Sequence, residues 1–506
     1  MKEKKRAYIS VYDKRGVVEF CHYLVEYGYE LIATEGTAKV LKEGGLPVLS
    51  AHDLTGYPEP LGGNVRAVHP AIYTGIIAGG LSRKQFKELK TDDIYPIQLV
   101  VVNLYPFAHD MEAGLSFEEA SSHIDAGGVA LLDAAAKNFT TAVAVCDPDD
   151  YERVLCDLAA GVIPEDERKY LMYKAFSYTA AYDALVAQYL SHELDIPFPK
   201  TLTVTFEKAQ DMRYGENPHQ HAAVYREPLL KEGSLARAKQ IAGPALTYNS
   251  VGDVNAALEL VKEFEETAVV ATKHCAVAAV GTGENVCEAF ARVKTADLRN
   301  TVIAVNAVVD ARAADLIHGM GIEAVLAVGF TPEAMEMLHY DTNLILLEVP
   351  GIRSKVQFST YDMTKIYGGL LVQTYDTALM NEEMCVTRRA PTDAEHRALT
   401  FNYKIAKHAR SSAVVIGTEH ETVGIGTGQV KRRLALSFAL ALAGEKARGA
   451  VLASEAEFRS ADFIRLCAEA GITAIICTSR PSEEAIALLD KNNMAMLVTG
   501  SRHFKN

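Results

Sequence analysis

Residues 7–49, AYISVYDKRGVVEFCHYLVEYGYELIATEGTAKVLKEGGLPVL, decide the fold. Ala7–Val11 reads as a strand, Gly16–Tyr27 as a helix and Tyr29–Ala33 as a second strand. Thr37–Glu43 reads as a second helix, ended by Gly44-Gly45, and Pro47-Val48-Leu49 opens a third strand. Strands that alternate with helices predict an α/β fold with a parallel sheet covered by helices, because parallel strands need a crossover between them.

The rhythm continues outward. Leu99–Leu104 reads as a buried strand and Thr141–Val145 as another, and Tyr151–Leu190 looks largely helical. His192–Lys200, with Pro197 and Pro199, is the best linker. Beyond it, Val254–Phe264 reads as a helix. Ala268–Thr272, Thr301–Asn306, Ala324–Val328, Leu344–Leu347, Ala413–Ile416, Val423–Ile425, Ala450–Ala453, Ala474–Ile476 and Met496–Val498 read as strands. This half is long enough for two similar α/β subdomains, although no internal repeat is evident. The 506 residues thus divide into domains at 1–199 and 200–506.

Composition narrows the class. Hydrophobic residues make up 49% and charged residues 23%, as in an ordinary globular chain. The formal charge of −14 argues against a nonspecific nucleic-acid binder and requires locally cationic pockets for any anionic substrate. The apolar run after Met1–Arg6 is too short for a signal peptide, and no run of about 18 apolar residues predicts a membrane span. The eight cysteines are scattered, without Cys-x-x-Cys or metal-ligand spacing. Reduced thiols in a cytoplasmic protein are the expectation.

Several segments carry chemistry. Met212–Gln220 packs Arg213, Tyr214, Glu216, Asn217 and His219 around Gly215 and Pro218, a mixture suited to holding a polar ligand. Thr34–Thr37 lies between strand and helix, where N–H groups suit phosphate; an ordinary helix N-cap is the simpler reading. Arg66 can grip phosphate or lie solvated. Asn103–Phe107 closes a buried strand, where α/β proteins bind ligands. Asp125-Ala126-Gly127-Gly128 opens a helix that ends at Lys137, which is either an acid–base group or a helix C-cap. Lys273 and His274 follow a strand; adjacent side chains point oppositely there unless the chain bends, and a nearby ammonium favours a neutral histidine base. Val423–Gln429 is Gly-rich but lacks the spacing of a P-loop or a dinucleotide site.

In this order, the segments resemble the bifunctional purine-biosynthesis family that joins AICAR transformylase to IMP cyclohydrolase. The resemblance runs from Ser10-Val11-Tyr12-Asp13-Lys14 to Arg502-His503-Phe504. It implies a methylglyoxal-synthase-like N-terminal domain and a transformylase of two cytidine-deaminase-like subdomains without zinc. It also implies a homodimer with transformylase sites across the interface, nucleotide substrates, 10-formyltetrahydrofolate as co-substrate and no metal in the chemistry. The AICAR amine would attack the formyl carbon, and the product FAICAR would lose water on closing to IMP. For closure the matching residues are Asp13, Lys14, Thr34, Gly36, Thr37, Asn103, Tyr105, Asp125 and Lys137. The resemblance makes Lys137 the proton-transfer residue, with Asp125 and Tyr105 organising the reacting amide. For formyl transfer they are Arg213, Tyr214, Lys273, His274, Gly426, Gly428, Gln429, Arg432, Arg502 and Phe504, with His274 as general base.

The chain departs from the family pattern in places. Glu35 stands where members carry Gly, Asn64 for Arg, Arg66 for Lys and Ala67 for Thr. A Glu35 carboxylate about 5 Å from a phosphate would cost roughly 3 kcal/mol at an effective dielectric of about 20. After Lys273-His274 the chain reads Cys275-Ala276-Val277, about two residues short of the pattern. A loop is missing near Asp297–Thr301, Ser412 replaces Asn, and Glu455–Ser460 replaces an aromatic folate stretch. The alternative to the bifunctional enzyme is a paralogue with one or both activities lost or altered.

Overall fold

The computed structural model describes residues 5–56, 68–78, 96–229, 232–294, 296–354, 361–458 and 460–505. The chain forms two compact units, one of residues 1–207 with 227–229, the other of 208–226 with 230–506.

In the first unit the chain runs β1 (Lys5–Val11), α1 (Val17–Glu26), β2 (Tyr29–Ala33), α2 (Glu35–Glu43), β3 (Val48–Ser50), β4 (Leu99–Asn103), α3 (Ala126–Lys137), β5 (Val143–Val145) and α4 (Glu165–Glu193). The sheet order is β3-β2-β1-β4-β5 and every pairing is parallel. Strands buried on both faces explain the continuous apolar runs. Tyr8, Ile9, Ile32 and Val100 are fully buried, and each of the three aliphatic side chains contributes about 1.5–3 kcal/mol. Gly28 and Gly45 take positive φ where α1 and α2 end, a conformation that excludes most side chains.

The second unit begins with the hairpin β6 (Glu207–Met212) and β7 (Ala222–Arg226). It continues through β8 (Lys239–Ala242), α5 (Tyr248–Val261), β9 (Thr267–Lys273), β10 (Ala276–Gly283), β11 (Val302–Val309), β12 (Ala324–Phe330) and β13 (Ile345–Glu348). A hairpin of β14 (Asp362–Ile366) and β15 (Gly369–Gln373) follows. The rest is β16 (Met384–Cys385), α6 (Asp393–His408), β17 (Val414–Gly417), β18 (Thr422–Gly426), α7 (Arg432–Ala443), β19 (Val451–Ala453), β20 (Ala474–Cys477) and β21 (Ala495–Val498).

The two large sheets have one plan. Their orders are β10-β9-β11-β12-β13-β8 and β16-β21-β20-β19-β17-β18, which match strand for strand when the second is reversed. Each has an antiparallel hairpin, three strands in parallel and an antiparallel edge strand. The repeat that the sequence does not display is therefore present in topology. The halves meet where Gly281 of β10 bridges to Glu421 beside β18. They also meet where Glu263 accepts hydrogen bonds from Lys407 (2.8 Å) and His408 (2.8 Å) of α6. Among the described residues, no helix is long and apolar enough to cross a membrane.

Candidate active sites

In the first unit β1, β2 and β4 are parallel, so the loops after Val11, Ala33 and Asn103 leave one edge of the sheet, where such folds bind ligands. Asn103 ties two of them: its Oδ1 accepts the N–H groups of Tyr12 (2.5 Å) and Asp13 (2.8 Å), and its Nδ2 donates to the Asp13 carbonyl (3.1 Å). Thr37 is buried and bonds the end of β1 through the Val11 N–H (3.2 Å), while Lys14 Nζ donates to its hydroxyl (3.2 Å).

Thr34 occupies the N-cap position of α2 but makes no side-chain cap bond. The cap reading of Thr34–Thr37 is thus corrected: Thr37 locks the helix to β1, and the first turn of α2 has no side-chain cap. Gly36 is exposed in that turn, and so is Glu35. Burial pushes the Lys14 ammonium down, opposed by Asp13; the N–H and guanidinium of Arg15 hold the Asp13 carboxyl below its ordinary range.

Across the same edge Asp125 caps α3, accepting the Gly128 N–H (2.7 Å), and its own N–H donates to Tyr182 Oη (2.9 Å). A methyl group on Gly128 would sit 2.5 Å from Leu104 Cδ2, so the glycine lets α3 approach β4. Tyr105 donates to Asp110 Oδ1 (2.6 Å), and the other Asp110 oxygen lies 2.7 Å from His123 Nδ1. Asp110 is 4% exposed. Its hydrogen bond pushes the Tyr105 phenol up to about 12. The Tyr105 ring packs edge-on against Tyr12, with centroids 5.0 Å apart.

Lys137 is not in this cleft. It is the last of the 12 residues of α3, which at 1.5 Å per residue places it about 18 Å from Asp125. The following Asn138 donates to the Ile76 carbonyl (2.8 Å), and β5 then pairs Val143 with Leu99, the first residue of β4. Lys137 is exposed at the C-terminal end of α3, the end away from the Asp125 cap. Arg66, Asn64 and Ala67 lie outside the described residues. A surface groove of about 640 Å³ along α1 is lined by Lys14, Glu19, His22 and Glu26 among others, and shares only Lys14 with the cleft.

In the second unit, the Met212–Gln220 loop is closed on itself. Gly215 N–H donates to the Gln220 carbonyl (2.9 Å), and Gln220 Oε1 accepts from Asn217 N (2.8 Å) and Nδ2 (3.0 Å). A methyl group on Gly215 would lie 2.9 Å from Gln220 Cβ. Arg213 is exposed and Tyr214 half-buried. Asn249 at the start of α5 anchors the loop through the Glu216 carbonyl (3.4 Å).

Lys273 and His274 do not share a strand end. The chain bends: Lys273 pairs with Ala276, and His274 and Cys275 form a two-residue turn with φ of 53° and 55°. Positive φ at both central residues is the type I′ pattern, which favours Asn-Gly; in a residue with a side chain it costs roughly 1–2 kcal/mol. Asp253 of α5 receives both N–H groups, His274 at 3.0 Å and Cys275 on the other oxygen. His274 is exposed. Lys273 Nζ donates to the Arg299 carbonyl (2.9 Å). Burial, then Asp253, pushes the Cys275 thiol up, and a hydrogen bond with Arg410 opposes them.

Arg410 links this turn to the other expected residues. Its carbonyl accepts the Gly428 N–H (2.9 Å), Ser411 N–H donates to the Lys505 carbonyl (2.9 Å), and Ser412 N–H reaches the Gln429 carbonyl (3.5 Å). The C-terminal segment is ordered by His503, 3% exposed, whose ring bonds Asp376 (2.5 Å) and the Leu379 carbonyl (2.8 Å). With His503 inward, Arg502 and Phe504 face outward, the guanidinium 5.3 Å from the Phe504 ring. Arg432, at the start of α7, donates to the Glu457 carbonyl. Glu457 Oε2 accepts from Ser479 (3.1 Å), and Glu455 is buried, accepting the Ala413 N–H (3.0 Å). Gly424 and Gly426 let α7 lie close to β18: a methyl group on either would collide with the Ala439 or Ala435 carbonyl. Among the described residues no cluster of three or more His, Cys, Asp or Glu side chains could hold a metal.

Sequence reasoning missed Asp110, His123, Asp253, Arg410 and His503. Only His503, inside a polar C-terminal cluster, carried a signal.

Comparison with known proteins follows this geometry. The family described as the AICARFT/IMPCHase bienzyme matches residues 135–442, and the MGS-like domain matches 16–130. The chain is 41% identical over 512 positions to the bifunctional purine biosynthesis protein PurH of Ruminiclostridium cellulolyticum, covering 99% of this chain and 100% of that protein. It is 43% identical to that of Halalkalibacterium halodurans and 42% to that of Listeria monocytogenes, each again across 99% of this chain and 100% of the relative.

Proposed function

We propose, from the premise that this chain belongs to the AICARFT/IMPCHase bienzyme family, that it formylates AICAR and closes the product to IMP in de novo purine biosynthesis. The observation that carries the reading is 41–43% identity to bifunctional PurH proteins across 99% of this chain, supported by the hydrogen bonds that tie Arg410 to Gly428, Ser412 to Gln429 and Ser411 to Lys505. Neither the comparisons nor the described geometry favours an altered paralogue.

For formyl transfer, the AICAR amine forms a bond to the formyl carbon as His274 accepts its proton; the N10–formyl bond breaks, and that proton passes to N10 of the departing tetrahydrofolate. An exposed imidazole on a fixed turn suits that role. Arg213 and Tyr214 hold the nucleotide, and Lys273 sits next to the base with its ammonium directed to a carbonyl. Arg432, Arg502 and Phe504 lie toward the formyl-folate co-substrate, whose pterin would stack on an exposed ring.

For closure, the carboxamide nitrogen attacks the formyl carbon and water departs. The uncapped start of α2 with Lys14 suits the phosphate. Glu35 is exposed in that turn. Tyr105, with its proton directed to Asp110, presents an oxygen lone pair to the reacting amide, and Asp125 shapes the opposite wall. Lys137 takes no part in these steps.

Each unit supports one reaction, and a homodimer is expected. Leu434, Phe438 and Leu442 form an exposed stripe at four-residue spacing on α7, beside Val430 at 98% exposure, which a second copy would cover.

Purified protein given AICAR and 10-formyltetrahydrofolate should release tetrahydrofolate and yield IMP. His274→Ala should lower tetrahydrofolate release by roughly a hundredfold or more, while conversion of supplied FAICAR to IMP persists. Lys137→Ala should leave closure within about threefold, since the rise of α3 puts its backbone about 18 Å from that of Asp125. Absence of both activities in the wild-type protein would overturn the reading.

A further inference from the structure

The turn that carries His274 is an unfavourable conformation for its sequence. A two-residue loop with positive φ twice asks for glycine or asparagine, and here it is His274-Cys275. Something outside the turn must hold it.

We propose that Asp253 is a positioning residue for formyl transfer: its buried carboxylate grips both N–H groups of the His274–Cys275 turn and thereby fixes the direction of the imidazole. The inference rests on the reading of His274 as general base and deepens it.

Four observations carry it. Asp253 is 6% exposed, so its charge is answered by local donors and not by water. Consecutive N–H groups in a left-handed turn converge on one point and form an anion nest, and the carboxylate fills it with one oxygen per N–H. The Asp253 carbonyl also accepts the Thr272 hydroxyl (2.9 Å), which fastens α5 to the last residues of β9. Finally, Asn249 lies four residues earlier on the same face of α5 and holds the loop of Arg213. One helix face thus sets both the expected base and the expected nucleotide grip.

The duplicated half shows what the turn alone requires. There a longer connection, Thr418–Glu421, joins β17 to β18, and a neutral residue, Asn402 of α6, serves it with one bond to the Thr418 carbonyl (3.0 Å). Of these two connections, the short left-handed one has the charged, two-pronged grip. Asparagine at 253 would offer one acceptor oxygen and set an amide N–H₂ against the second donor.

The test uses the full-length enzyme and both of its activities. Asp253→Asn should lower kcat for formyl transfer by roughly ten- to a hundredfold, as expected when a reacting group shifts by about 1 Å. KM for AICAR should stay within about twofold, and FAICAR closure should be unchanged. Adding Cys275→Gly to Asp253→Asn should recover most of the lost kcat, because glycine takes positive φ without strain. If Asp253→Asn does not fold, Cys275→Val in the otherwise native chain gives the same reading. A β-branched residue disfavours the left-handed region, so kcat should fall with KM unchanged, whereas Cys275→Asn should keep it. Wild-type kcat in Asp253→Asn, or equal kcat in the valine and asparagine variants, overturns the proposal. So does recovery of Tm by Cys275→Gly without recovery of kcat, which marks a merely structural role. Failure of the underlying reading looks different: His274→Ala would then release tetrahydrofolate at the wild-type rate.

Discussion

Tyr105 donates its phenolic proton to Asp110, and that hydrogen bond has a consequence for pH. The Asp110 hydrogen bond raises Tyr105 from its ordinary value of 10 to about 12. The bond is therefore intact below about pH 10 and is lost as pH rises through about 12. The neighbours that face the pair are Tyr12, Tyr182 and His123, with Glu119 beside His123. Asp110→Asn should bring the Tyr105 phenol back toward 10, move the alkaline limb of FAICAR closure to lower pH, and reduce kcat by roughly tenfold. Tyrosinate absorbance read alongside closure checks both, and an unmoved alkaline limb would break the link. The positions of Lys14, Thr37 and Asn103 beside the ends of β1, β2 and β4 were legible from strand ends and from the family resemblance. Those of Asp110 and Asp253 were not, because one carboxylate in a helix has no sequence mark until the partner N–H or phenol is placed beside it. Lys137 reads from the sequence either as a desolvated acid–base group or as a helix C-cap; it is exposed at the last position of α3.

At the scale of elements, strands and helices followed the sequence closely, since alternating apolar runs and helical spacing set them directly. Their boundaries moved by one to several residues; α5, for instance, begins at Tyr248, well before the expected Val254. The Gly-rich stretch was read by composition and explained by packing. Gly424 and Gly426 bring β18 against α7, and Gly281 and Gly283 do the same for β10 against the helix Val286–Val293. This shared Gly-x-Gly device is the trace of the duplicated plan, too short to stand out in the sequence. Gly426→Ala forces a methyl group into the Ala435 carbonyl, and it should destabilise the second unit by about 1–3 kcal/mol. Thermal unfolding checks this, with the cyclisation activity of the first unit unaffected. An unchanged melting curve would mean that α7 can retreat from the strand.

The whole molecule adds features no segment contains. Glu263 lies where the two sheets of the second unit meet. Burial alone would raise its carboxyl, but His408 and Lys407 overcome that and bring it from 4.5 to about 2. A depressed carboxyl stabilises the folded state above its ordinary value, so this contribution is complete above about pH 4.5 and is lost as pH falls toward 2. Glu263→Gln should cost roughly 3 kcal/mol at pH 7, by leaving Lys407 buried without its partner, and should flatten the acid limb of the stability curve. Denaturant titrations at several pH values measure both. At the outer surface, Phe438→Glu on α7 should convert the sedimenting species from dimer to monomer and remove formyl transfer while closure persists. Sedimentation of an unaltered monomer before mutation would remove the basis for that expectation.

The matched sheet plans have a further corollary. Of two halves cast from one template, one carries the proposed base at its corner, His274, and on that proposal the counterpart corner at Thr418–Glu421 has no part in formyl transfer. Its residues answer only to the joint between the halves, where His420 and Thr422 meet Thr282 and Val280. Random substitution across the two corners should expose that asymmetry: turnover would tolerate change at the silent one and punish it at the other.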